Sequence, residues 1–178
     1  MLILKYKLVN ILQLNHYNTN FSQQIFPIVL VCDNVTNAPN IGSLFRISDA
    51  FGIEKLILCG AHIPLGRKMT KTSRATEKTV DYEIQDSASN VILNLKSQGY
   101  QIVSLEITTD SKPIHSFKFS SEKPIVLVVG DENFGISEHI LKQSDVIIHI
   151  NMFGKNSSMN VVQATNIALY EITKQFTL

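Results

Sequence analysis

The sequence predicts an α/β fold with a mainly parallel sheet flanked by helices, on three observations. Short continuous apolar runs such as Ile125-Val126-Leu127-Val128-Val129 lack polar alternation and read as strands buried on both faces. Segments of helical period separate these runs, so strands and helices alternate along the chain. The last two runs each enter a glycine-bearing polar loop and then a helical segment, which places ligand loops at the carboxyl ends of parallel strands. These two loops read as walls of one small-molecule pocket.

At 178 residues the chain suits a single domain able to bury a substantial core. Hydrophobic residues at 44% and charged residues at 17% describe a folded globular protein rather than a disordered one. The formal charge of +1 means that affinity for nucleic acid has to come from a local basic patch. Cys32 and Cys59 end apolar runs and read as small buried thiols. Neither has a second ligand at metal-binding spacing, so no metal site is expected. Lys5, Lys7, Asn10 and Gln13 interrupt the apolar start before it reaches signal-peptide or membrane-span length. A cytoplasmic protein with no membrane partner is the expectation. The dinucleotide cradle G-x-G-x-x-G, the P-loop G-x-x-x-x-G-K-[ST] and the esterase elbow G-x-S-x-G are all missing from the sequence.

Residues 1–24, with Leu4, Leu8, Ile11 and Leu12 at near-helical spacing, read as a helical arm ahead of a domain spanning 25–178. The first buried strand is expected at 28–32, followed by turn chemistry through Pro39. Ile41, Leu44, Phe45 and Ser48 recur on one face of a helix starting near Asn40, whose side chain is expected to cap it. Arg46 points almost opposite that stripe, towards solvent or a ligand. A cation this early opposes the helix macrodipole at a cost of roughly a few tenths of a kcal/mol. A second strand is expected at 55–59. Residues 66–78 carry Arg67, Lys68, Lys71, Arg74 and Lys78 against the single acid Glu77, with no hydrophobic period. This reads as a solvated loop and is the most positive stretch of the chain.

A short strand at 80–84 and a helix at 87–98 stopped by Gly99 come next. A strand at 101–105 leads into a polar loop, then the strand 125–129. Residues 137–144 read as a short helix capped by Ser137, and 146–150 as the last strand. The closing helix presents Val161, Ala164, Ile167, Ala168 and Ile172 on one apolar face.

Three stretches carry a resemblance. Asn37-Ala38-Pro39-Asn40-Ile41-Gly42-Ser43-Leu44-Phe45-Arg46 resembles the first motif of the SpoU/TrmH family of RNA ribose methyltransferases, Asn followed by Asn-x-Gly and then Arg. Gly130-Asp131-Glu132-Asn133-Phe134-Gly135-Ile136-Ser137 is similar to the second motif, and the segment from Ile150 to Val161 to the third. They stand in family order across residues 28–175.

The resemblance implies S-adenosylmethionine as methyl donor and direct transfer to a ribose 2′-hydroxyl of transfer or ribosomal RNA, with no metal or covalent enzyme intermediate. The lack of a large extra RNA-binding domain tilts the expectation towards transfer RNA. Leu105, Gly130, Ile150, Ser158 and Met159 would contact the cofactor, with Gly130 allowing close backbone approach. An adenine ring needs only backbone groups and aliphatic side chains to hold it. Arg46, Asn37, Glu132 and Asn160 would form the active site. The family's arginine acts at the 2′-hydroxyl, either as a base or by stabilising the forming alkoxide. Arginine is essentially never deprotonated, which favours stabilisation of the oxyanion or a neighbouring phosphate. Asn37 would hold Arg46 in place, and Glu132 would pair with Arg46 or orient the loop.

Arg67, Lys68, Lys71 and Arg74 would neutralise RNA phosphates. The family implies the SPOUT-type fold with a C-terminal trefoil knot. It also implies a homodimer, in which Arg46 can serve the partner's pocket and the closing helix offers its apolar face. Asn151 in place of the family's proline and Val162 in place of serine depart from the pattern. They motivate the rival reading, a non-catalytic RNA-binding module that keeps the methyltransferase fold.

Overall fold

Backbone hydrogen bonds gather seven strands into one sheet in which every pairing is parallel. The structure is a computed structural model that describes residues 21–177 together with Gln13 and Thr19. The proposed N-terminal helical arm falls almost wholly outside the described residues. Strand β1 (Phe26–Asp33) lies inside the sheet, between β2 (Ile53–Cys59) and the central strand β6 (Ile125–Val129). Beyond β2 lies the edge strand β3 (Tyr82–Gln85); beyond β6 follow β4 (Gln101–Leu105), β7 (Val146–His149) and the two-residue β5 (Lys112–Pro113). Leu30 registers against Leu56 on one side and Leu127 on the other.

Because successive side chains of a strand point to opposite faces, β1 serves two cores. Ile28, Leu30 and Cys32 join Leu44, Phe45, Leu127 and Leu169 on one face. Val29 and Val31 join Ile57, Ile92, Val126 and Val128 on the other. Every residue of β6 is buried, so a continuous apolar run was its sequence signature.

Helix α1 (Ala38–Ala50) corrects one expectation: Asn37, not Asn40, is the cap. Its side-chain oxygen accepts from the Asn40 backbone N–H at 3.1 Å, and Pro39 sits in the first turn, where a missing N–H costs nothing. The buried face is the expected one, Ile41, Leu44, Phe45 and Ser48, joined by Gly42. The basic stretch is not a loop. It forms α2 (Arg67–Ser73) and a 3₁₀ turn over Thr76–Lys78, with Met69 and Ser73 buried one turn apart. A single methionine and a serine make too faint a period to recognise in sequence. Gly42 explains why this suffices: a Cβ there would collide with the Thr72 hydroxyl and the Met69 carbonyl, so the two helices touch backbone to backbone. The Thr72 hydroxyl also donates to the Pro39 carbonyl at 3.1 Å.

Helix α3 (Ala88–Ser97) is capped by Ser87 and followed by Gly99 in the left-handed region, φ +92°. Helix α4 (Glu138–Gln143) has Ser137 at its cap position, but the hydroxyl makes no capping bond. The stretch expected as a polar loop after β4 contains β5 and a 3₁₀ turn, and it buries Ile114 and Phe119. In α5 (Val161–Phe176) the expected free apolar face is divided. Ala168 and Ile172, with Leu169, are fully buried in the core, while Ile167 and Tyr170 face outward. Among the described residues no helix is long and apolar enough to cross a membrane.

Replacing Gly42 by alanine should push α1 and α2 apart. The expected loss is about 1–3 kcal/mol of stability, read as a lower urea midpoint at unchanged slope.

Candidate active site

The loops leaving the carboxyl ends of β4, β6 and β7 enclose a cavity of about 790 Å³. The loop after β6 is a tight reversal in which Asp131 and Gly135 exchange backbone hydrogen bonds at 3.1 and 2.9 Å. The Asp131 carboxylate accepts from the N–H groups of Asn133 and Phe134 at 2.7 and 2.9 Å, and Gly135 adopts φ +69°. Gly130, expected to allow close approach of a ligand, is also required by the loop itself. A Cβ there would strike the Gly135 carbonyl and the Ile136 nitrogen, so the close approach is the loop's own return.

Glu106, which sequence reasoning passed over, fastens this loop to the end of β4. One carboxylate oxygen accepts from the Ile107 N–H at 2.9 Å and the other from the Ile136 N–H at 3.0 Å. Its signal was an acid placed immediately after a buried strand. Asn40 was read only as a helix cap, yet it joins three segments. Its amide nitrogen donates to Glu132 Oε1 at 2.7 Å, and its amide oxygen accepts from Asn160 Nδ2 at 3.2 Å. Asn160 in turn caps α5, accepting from the Val162 N–H at 2.9 Å. The first turn of α1 is thereby tied to both cavity loops.

Leu105, Gly130, Ile150, Ser158 and Met159 all line the cavity, together with Glu132 and Asn160. Asn37 and Arg46 do not. Asn37 is occupied as the α1 cap, and Arg46 is exposed, with no hydrogen bond or ion pair to the described residues. The expected Arg46–Glu132 pair is therefore not formed; Glu132 bonds to Asn40 instead. Arg67, Lys68, Lys71 and Arg74 are exposed along α2 and its carboxyl cap, and none has an ion-pair partner among the described residues. Val162 packs against the core, which accounts for an apolar residue at that departure from the family pattern.

Leu105, Ile107, Ile150, Met152 and Met159 give the cavity an apolar lining, interrupted by Glu106, Asp131 and Glu132. The Thr108 hydroxyl in the lining is buried with no hydrogen-bond partner among the described residues. A nucleoside-sized ligand carrying positive charge fits this combination of flat apolar surface, carboxylates and an unsatisfied hydroxyl. Below the site, burial pushes the Cys32 thiol well above its usual range, reinforced by Cys59, Glu132 and Asp33. Burial, then Asp33, pushes Cys59 up to about 12. Both stay neutral thiols and serve as packing, not nucleophiles. Among the described residues no group of three or more His, Cys, Asp or Glu stands placed to hold a metal ion.

Residues 27–170 match the SpoU rRNA Methylase family. The chain is 32% identical over 148 residues to the tRNA (guanosine(18)-2′-O)-methyltransferase of Aquifex aeolicus, covering 83% of this chain and 69% of that protein. It is 26% identical to the 23S rRNA (guanosine-2′-O-)-methyltransferase RlmB of Ralstonia nicotianae, covering 84% of this chain but only 59% of that protein. Among solved structures, the A. aeolicus TrmH/SpoU tRNA modifying enzyme superposes with TM-score 0.78 at 31% identity, over 86% of this chain and 77% of that one. The SpoU methyltransferase AviRb from Streptomyces viridochromogenes, in complex with the cofactor AdoMet, gives TM-score 0.74 at 27% identity, over 84% and 60%. A parallel sheet whose carboxyl-end loops close a nucleoside-sized cavity is, in this company, the architecture of a SpoU-type methyltransferase. More particularly, the chain belongs to the SpoU rRNA methylase family.

Replacing Glu106 by alanine leaves two loop N–H groups without acceptors. The substitution should cost about 1–3 kcal/mol and speed hydrogen exchange selectively at Ile107 and Ile136.

Proposed function

We propose that this protein is an S-adenosylmethionine-dependent RNA 2′-O-methyltransferase that modifies a ribose of transfer or ribosomal RNA. The observation that carries this reading is the convergence of all three motif stretches on one cavity through Asn40, Glu132 and Asn160. Relatives named for both kinds of RNA support it.

When bound, the cofactor supplies an electrophilic methyl group. The chain supplies placement: Leu105, Ile150 and Met159 offer apolar surface to an adenine, Gly130 and Ser158 offer polar backbone and hydroxyl groups, and carboxylates face the cationic portion. Holding the two reactants in line contributes much of the rate in such a displacement. Arg46 stabilises the 2′-oxygen as it gives up its proton to solvent water, or the phosphate beside it. Asn37 positions it by fixing the start of α1, and Glu132 and Asn160 hold that start against the cavity. Arg46 lies outside the cavity lining of its own chain and keeps its guanidinium unpaired among the described residues, which supports action in a partner's site within a homodimer. Ile167 and Tyr170, exposed on α5, are candidate contacts for that dimer.

The C-terminal trefoil knot belongs to the same reading. Its support is the strand order, in which β4 separates β6 from β7, together with the meeting of the 131–135 loop and the 150–160 segment around one cavity. RNA docks on the positive face of α2 through Arg67, Lys68, Lys71 and Arg74, and the enzyme works in the cytoplasm.

Calorimetry with S-adenosylmethionine should show saturable binding; no binding would leave the non-catalytic RNA-binding module as the reading. Arg46→Ala should keep cofactor affinity within about threefold while methyl transfer to RNA falls by about 100-fold or more, the scale of losing one oxyanion-stabilising group. Near wild-type transfer would remove Arg46 from the mechanism. Neutralising Lys68, Lys71 and Arg74 together should reduce the salt dependence of RNA binding by about 2 to 3 in logarithmic slope. Comparing 2′-O-methyl sites in cells with and without the gene identifies the target nucleotide.

A further inference from the structure

Each of the three loops that enclose the cavity carries one large apolar side chain turned out to water. Ile107 follows β4 and is 53% exposed, Phe134 follows β6 and is 90% exposed, and Phe153 follows β7 and is 94% exposed. Ile107 and Phe134 also line the cavity, so the apolar surface continues from its interior onto its rim. Phe134 is not displayed by a loose loop: the Asp131 carboxylate holds its backbone N–H at 2.9 Å, and the Asp131–Gly135 bridge closes the turn beneath it. The exposure is built into the turn, and all three side chains forgo the free energy of burial until something covers them.

We propose that Ile107, Phe134 and Phe153 form an apolar collar that receives the unstacked base of the target nucleotide in single-stranded RNA. The inference rests on the methyl-transfer reading above. A ribose that offers its 2′-oxygen to the cavity carries its base on the adjacent carbon, so the base has to lie at the mouth. Every base has a flat π-face, and single-stranded RNA is commonly held by stacking unstacked bases on aromatic side chains. The surrounding charge fits the same occupant. Lys155 lies two residues beyond Phe153, and α2, packed on α1 through Gly42 and Thr72, presents Arg67, Lys68, Lys71 and Arg74 without ion-pair partners among the described residues. A protein surface seated on all three residues would close the mouth through which the ribose must enter. The collar therefore favours a ligand that comes and goes with the substrate.

The test is fluorescence anisotropy with a fluorescein-labelled, mixed-sequence, single-stranded RNA of about 20 nucleotides, long enough to engage both stacking and phosphate contacts, in saturating S-adenosylmethionine. Phe134→Ala and Phe153→Ala should each weaken binding about tenfold, tryptophan at either position should restore it, and leucine should not, because only the aromatic face stacks. Calorimetry on Phe153→Ala should give wild-type cofactor affinity. The collar is overturned if the double alanine variant binds RNA as wild type does, if leucine serves as well as phenylalanine, or if sedimentation shows the alanine variants dissociating into smaller species, which would make these residues contacts between copies. Cofactor binding by the wild type, together with variant RNA affinities unmoved by either phenylalanine change, overturns the collar alone. Wild-type protein that binds neither cofactor nor RNA removes the methyl-transfer reading, and the collar with it.

Discussion

The two hydrogen bonds of the Asn40 amide are the constraint on which the site depends. Its nitrogen reaches Glu132 and its oxygen receives Asn160, so one planar group fixes the start of α1 against loops 92 and 120 residues further along the chain. Each partner is held in turn: Asn160 by capping α5, and the loop of Glu132 by the Asp131–Gly135 bridge and the Glu106 carboxylate. An amide suits this place because it donates and accepts at once; a carboxylate could only accept. Bonds of this kind contribute about 1 kcal/mol each to folding. Their larger effect is to hold the cavity walls in register before a ligand arrives.

Charge is divided between two neighbouring regions. Carboxylates from Glu106, Asp131 and Glu132 gather at the cavity, while the cations of α2, without ion-pair partners among the described residues, stand beyond α1. A nearly neutral chain thus presents one surface suited to a cationic small molecule and another suited to a polyanion, separated by the thickness of a helix. Whole-molecule charge concealed this division. Only the local run from Arg67 to Lys78 disclosed its positive half.

Legibility in sequence followed the range of the interactions. Strand Ile125–Val129 was readable to the residue because, buried on both faces, it is an unbroken apolar run; Gln101–Leu105 has the expected bounds although Gln101 and Ser104 interrupt its apolar pattern. Leu105, Gly130, Ile150, Ser158 and Met159, far apart in the chain, line one cavity. Helix α2 escaped because its packing rests on Met69, Ser73 and the bare backbone of Gly42, which leave almost no periodic signal. The joining role of Asn40 and the fastening role of Glu106 escaped because both are made of contacts between segments distant in sequence. Of the two arms expected for Glu132, pairing with Arg46 or orienting the loop, the pair is not formed within the chain, where Asn40, at the start of the same helix, takes the carboxylate.

The contact at Gly42 also bears on how the protein meets a large ligand. With no side chain on Gly42 to space α1 from α2, and Thr72 bonded to the Pro39 carbonyl, the two helices are joined closely. That pair includes the end of α1 from which Asn40 clasps the cavity. A swing of α2 alone would open the Gly42 contact and break the Thr72–Pro39 hydrogen bond. On the proposed RNA reading, shape adjustment during encounter accordingly falls to the polynucleotide, whose flexible single strands bend at smaller cost than this helix pair.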